Sequence, residues 1–237
     1  MIETFAALLF AHTVADFLVQ TNWMVTQKRR PVAMAAHLGL VLVMAVLATG
    51  SLGGAVWLVA VLHLGIDFTK TFVGQKGIAP FLLDQAAHLV SLLIVAWLFP
   101  TTWAGGLWAS HDLLPPLMVL AAGLILATRA GGFAVGLLME QWASASPRGL
   151  AGGGRAIGNL ERGLIFVLIF SGQASSIGFL IAAKSVLRFG TVGDDRAISE
   201  YVIIGTLASF GWAMAVTFVT IVMLSHMTPL GIPDLTP

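Results

Sequence analysis

Seven apolar stretches divide the chain, near 4–21, 32–50, 54–73, 79–99, 115–139, 160–183 and 200–224, with polar residues mostly between them. Most have the ~20 residues a helix needs to cross a bilayer. The pattern predicts an all-α, polytopic integral membrane helical bundle of about seven spans. The fifth stretch opens on Pro115 and Pro116, which suit a helix start, yet carries Arg129 deep inside. It is expected to end near Thr128, with an interfacial piece after a break at Gly131-Gly132. The sixth contains Ser171-Gly172-Gln173, residues that weaken a helix. It reads as one helix or as two half-helices forming a re-entrant segment. A composition shift near Pro100–Pro116 suggests residues 1–100 as a four-helix bundle and 101–237 as a second bundle packed with it as one unit. No internal repeat of fixed period is evident.

Composition strengthens the membrane assignment. The 237 residues are 58% hydrophobic and 10% charged, against roughly 25% charged in soluble domains; the mean hydropathy is +0.94. With no cysteine, disulfides, zinc fingers and thiol catalysis are excluded. A net charge of +1 gives no reason to expect nucleic acid as a partner. The first apolar stretch does not read as a cleavable signal, since it starts with Glu3 and carries His12 and Asp16. Basic residues follow spans one (Lys28, Arg29, Arg30), three (Lys70, Lys76) and five (Arg148, Arg155), while 49–54 and 100–112 have none. This places the N-terminus outside and the basic loops in the cytoplasm. Lys184, Arg188 and Arg196 after span six break the alternation; either the rule fails there or that span is re-entrant.

Seven ionisable residues interrupt spans one to four: His12, Asp16, His37, His63, Asp67, Asp84 and His88. Buried charge in a bilayer is costly, so such residues face an interior site. Three of the four histidines have an aspartate four residues away, where both share a helix face; random placement gives roughly 0.6 such histidines. At about 1.5 Å per residue, all seven fall in one layer roughly 6–16 Å inside the basic-loop face. The stripes extend to Gln20 on span one, Lys70 or Thr71 on span three, and Ser91 on span four. Imidazoles and carboxylates on facing helices assemble metal sites. Four imidazoles and three carboxylates suit two divalent ions, zinc first, with manganese or iron as alternatives. Asp16, Asp67 and Asp84 are candidate catalytic carboxylates; Gln20, Lys70 and Gln85 are candidate outer partners or substrate contacts. A proton or cation pathway and a purely structural polar network use the same residues differently. His111 beside Asp112, and His226 near the last helix end, read as non-functional.

The strings AHTVADFLVQTNWMVTQK, LHLGIDFTK and FLLDQAAHLVSLL, with a histidine in the second span, resemble the bacterial membrane family catalogued as domain of unknown function 3307. IGNLERGLIFVLIF, AAKSVLRFG and SEYVIIGTLASF look like that family's later half, so the resemblance spans nearly the whole chain. It implies a fold and no chemistry. A weaker similarity is to inner-membrane proteins labelled metal-dependent hydrolases, which resemble the helical zinc phospholipase C type with its HxxxD spacing. His12/Asp16 and His63/Asp67 have that spacing; no HxxxE and no N-terminal tryptophan ligand is present.

In the second half, Glu161, Arg162, Lys184, Arg188 and Glu200 are candidate substrate residues. Glu161 and Arg162 are adjacent and point apart. Lys184 and Arg188 share a face and call for an anion, Glu161, Glu200 or a lipid phosphate, or else are interfacial side chains that snorkel to the bilayer surface. Gly152-Gly153-Gly154 follows no strand, and Ala183 stands where a P-loop needs glycine, so neither is a nucleotide site. The resulting expectation is a multi-pass protein of the bacterial cytoplasmic (inner) membrane. It carries a metal-dependent hydrolase site for a phospholipid or another membrane-associated phosphate ester. The alternatives are a proton or divalent-cation transporter or channel, and a structural membrane subunit.

Overall fold

The N-terminal helix α1 (Ile2–Val14) is rich in small buried residues: Ala6, Ala7 and Ala11 are at most 4% exposed. Small side chains let helices approach closely where lipid supplies no hydrophobic drive. In the computed structural model, which describes residues 1–146, 150–192 and 196–231 (backbone only at 187–192), every regular element is helical. α1 continues as a π-helical turn, Ala15–Val19, closed by the Gln20 amide donating to the Ala15 carbonyl at 3.0 Å. Thr21 then caps the short α2 (Asn22–Thr26) by accepting from the Met24 amide. Pro31 opens α3 (Pro31–Thr49), which Gly50 ends in the left-handed conformation (φ 62°). α4 (Gly54–Phe72), α5 (Ile78–Leu98) and α6 (Leu114–Ile125) follow. α1 packs against α3, α5 and α6; α3 packs on α4 and α4 on α5.

The loop after α5 closes over the ends of α1 and α3. Thr4 Oγ1 donates to the Pro100 carbonyl and accepts from the Trp103 amide. The Leu107 amide donates to the Gly50 carbonyl, and Trp108 Nε1 to the Leu47 carbonyl. Gly106 lies so close to Thr49 that a Cβ there would collide with its carbonyl.

After α6 the helix runs through a second π-helical turn, Leu126–Ala130, into α7 (Gly131–Met139) and a 3-10 turn, Glu140–Ala145. The expected break at Gly131-Gly132 is therefore corrected: Leu114–Ala145 is one helical run. Those glycines serve close approach instead. A Cβ on Gly131 would come 2.6 Å from Trp212, and one on Gly132 3.2 Å from Arg162. Trp212 and Arg162 donate to the carbonyls of Leu126 and Thr128 in the π turn.

α8 (Gly153–Phe170), α9 (Ser176–Val192) and α10 (Arg196–Leu224) complete the chain. The predicted sixth span is thus two helices, parted where Gly172 takes φ 70°. The count of seven spans falls to six helices among the described residues that are long and apolar enough to cross a membrane. Lys184 on α9 reaches back to Glu161 on α8, so the two form an antiparallel hairpin. The described residues divide into two units, one of 1–125 with 220–230 and one drawn from 126–219 with 231. In the second, Ile165, Ile177, Phe210 and Ala213 form the apolar core.

Candidate metal centre

Four helices of the first unit bring the seven ionisable residues together. His12 and Asp16 come from α1 and its π turn, His37 from α3, His63 and Asp67 from α4, and Asp84 and His88 from α5. The wider turn at Ala15–Val19 places Asp16, and π turns recur at functional sites. The His37 and His63 Nε2 atoms are 3.1 Å apart. Asp67 Oδ2 lies 3.2 Å from His37 Nε2 and 3.5 Å from His63 Nε2. Asp16 Oδ1 lies 3.6 Å from each of the same two nitrogens. The His12 ring stacks on His88 at 4.9 Å, and His88 meets His63 at 4.3 Å. All four histidines are at most 3% exposed.

Three triads place one ligand atom from each member within 4.8 Å of the others: His12/Asp16/His63, His37/His63/Asp67 and Asp67/Asp84/His88. The first and last share no residue, and the middle one shares His63 with the first and Asp67 with the last. These groups can hold a metal ion. Ligand orientation is set from outside. His88 Nδ1–H donates to the Asp84 carbonyl at 2.9 Å, which leaves Nε2 as the lone-pair atom. Lys70 Nζ holds Asp84 Oδ2 at 2.6 Å, and Gln85 Nε2 donates to the same oxygen at 3.0 Å. Lys28 Nζ holds Asp67 Oδ1 at 2.6 Å. Each of these aspartates spends one oxygen on a lysine and keeps the other near the histidines.

Lys28 is a site residue that the sequence reading used only for orientation. It sits in the turn between α2 and α3, outside every polar stripe, so periodicity gave no signal. Ser91 donates back to the His88 carbonyl. Thr71 is absent from the contacts of the cluster.

Seven buried polar atoms have no hydrogen-bond partner among the described residues: both His12 nitrogens, Asp16 Oδ1, Gln20 Nε2, His37 Nδ1, Asp84 Oδ1 and His88 Nε2. A buried polar atom left bare costs ~1–3 kcal/mol, so these atoms call for partners. Six of the seven atoms belong to the candidate ligands.

Residues 4–111 match the family described as protein of unknown function (DUF3307). The DUF3307 range contains all seven candidate ligands and both lysines. It ends before the later strings, so the resemblance found covers 4–111 and not nearly the whole chain. No curated protein and no solved structure matches, and the similarity to metal-dependent hydrolases is not shown.

In the second unit, Glu161 pairs with Lys184 at 2.7 Å. Arg162 turns the other way, to Thr128, Asn159 and Ser209. Glu200 is exposed and pairs with Arg196 on α10 rather than with Lys184. Arg188 lies on α9 with its side chain outside the described residues, as Arg148 does altogether. His111 and His226 are exposed and contact neighbouring serines.

Proposed function

We propose that the first unit binds divalent metal, zinc first and at two positions, and uses it to hydrolyse a phosphate ester held at the membrane. The orphaned atoms of candidate ligands on three converging helices, α1 with its π turn, α3 and α5, carry this reading. Cations are the partners that lone pairs and carboxylates gathered from several sides call for.

Charge bears on the substrate. Asp16, Asp67 and Asp84 are offset by Lys28 and Lys70, leaving one formal negative charge with neutral imidazoles. One divalent ion reverses that sign, and a second makes the centre strongly positive, so an anionic substrate is favoured. A groove of about 640 Å³ between α4 and α5 leads to Lys70 and Asp84 past Val61, Leu62, Ile66 and Leu83. Its apolar wall with a cation at the end suits an amphiphile with a phosphate. A bound divalent ion would supply an acidified water and a clamp on the phosphoryl oxygens. Lys70, 41% exposed, is positioned to meet the phosphate. Asp16, bound to no lysine, is the carboxylate freest to accept the proton. A transport pathway would continue polar groups to the other face; at that end of α1 the Thr4 hydroxyl is instead spent on Pro100 and Trp103. The setting is the bacterial cytoplasmic membrane, with the N-terminus outside and the basic loops inside.

Elemental analysis of the detergent-purified protein tests the reading. About two equivalents of metal are expected, and none in the His63→Ala/Asp67→Ala double variant. Wild-type protein that stays metal-free after reconstitution would rule out the hydrolase.

A further inference from the structure

The second unit contains a cavity of about 360 Å³ lined from α7, α8, α9 and α10. Its ionisable lining is Arg155, Arg162, Lys184 and Glu161. Three cations face one carboxylate, a formal excess of two positive charges, and that carboxylate is already engaged by Lys184. Lys184 is further fixed over the Phe210 ring, at 5.3 Å from its centroid.

Arg162 makes this excess consequential. It is 3% exposed, and its hydrogen bonds go to neutral acceptors: the Thr128 carbonyl, Asn159 Oδ1 and Ser209 Oγ. A buried guanidinium held by neutral groups, with no carboxylate bonded to it among the described residues, is in a costly state unless an anion comes near. Glycines keep the approach open. A Cβ on Gly158 would come 3.0 Å from Arg162 Nη1, and nothing lies within 4 Å of one on Gly136 or Gly154. The cavity also takes in the first turn of α8, whose N-cap is Gly152 with no side-chain cap. Its amide N–H groups add partial positive charge on the same side. Tyr201 and Thr206 contribute hydroxyls to the lining.

We propose that this cavity is a binding site for a phosphate oxyanion, brought either by a lipid head group or by soluble phosphate. Arg162 is the buried anchor, and Arg155, exposed at the mouth, closes on the anion. The argument uses residues of the second unit alone and stands whether or not the other unit binds metal.

The test uses the full chain, purified in detergent, with two probes. Native mass spectrometry follows retention of phosphatidylglycerol against phosphatidylcholine, and thermal unfolding follows stabilisation by inorganic phosphate. The variants are Arg155→Ala, Arg155→Lys, and Arg129→Ala as an exposed arginine outside the lining. Arg155→Ala is expected to weaken binding about tenfold or more, as loss of a charge-assisted hydrogen bond does. Arg155→Lys should restore most of it, and Arg129→Ala should leave it unchanged. Selective retention of phosphatidylglycerol identifies a lipid head group, and stabilisation by phosphate identifies a soluble anion. The site is overturned if neither probe binds, if Arg155→Ala binds like wild type, or if Arg129→Ala loses as much.

Discussion

Asp67 carries the tension of the centre in one side chain. Oδ1 is held by Lys28 and Oδ2 faces two imidazoles. A lysine at 2.6 Å competes with any cation for the same carboxylate. Its removal should therefore strengthen metal binding: at an effective dielectric of about 20, a unit charge a few ångströms away is worth several kcal/mol. Lys28→Ala is expected to raise divalent-metal affinity about tenfold or more by this argument, measured by competition with a chromogenic chelator. A fall in affinity of about 10–100-fold, as when outer partners that aim metal ligands are lost, would overturn this argument. At this scale the sequence was informative wherever charge interrupts an apolar span, because solvation makes such residues rare. It was silent on Lys28, which stands beside Arg29 and Arg30 and looks like any basic loop residue.

Elements were legible where hydrophobic length alone decides, as in α3, α4, α5 and α10. They were less so where glycine is involved, because glycine has two opposite uses. Gly172 does end a helix, taking φ 70° between α8 and α9. Gly131 and Gly132 do not; they make room for Trp212 and Arg162 in a helix that continues. A sequence without its packing partners cannot separate these uses. The π turns were also invisible, since each adds one residue to a turn without changing its polarity. Gly106 belongs to the second class, pressed against Thr49 in the loop after α5. Gly106→Ala should cost about 1–3 kcal/mol by overpacking, read as a lower unfolding temperature in detergent. Gly39→Ala, with nothing within 4 Å of its Cβ, is the matched control and should show no loss.

For the whole molecule, basic loops had pointed to an alternating topology that failed after the sixth predicted span. The α8–α9 hairpin bears on that break: a segment that turns back at Gly172 brings Lys184 to the level of Glu161 on α8. Charge counting alone could flag the anomaly but not its shape, because two half-helices and one span have the same composition.

The tie of Thr4 to Pro100 and Trp103 has a consequence for sidedness. On the proposed orientation, with that end tied down, traffic to the histidines would run through the opposite leaflet. A chelator too polar to cross the bilayer should strip the metal in inverted vesicles and spare it in right-side-out ones. Equal stripping from both sides would mean that the cover over α1 opens, and that the closed end is a door rather than a wall.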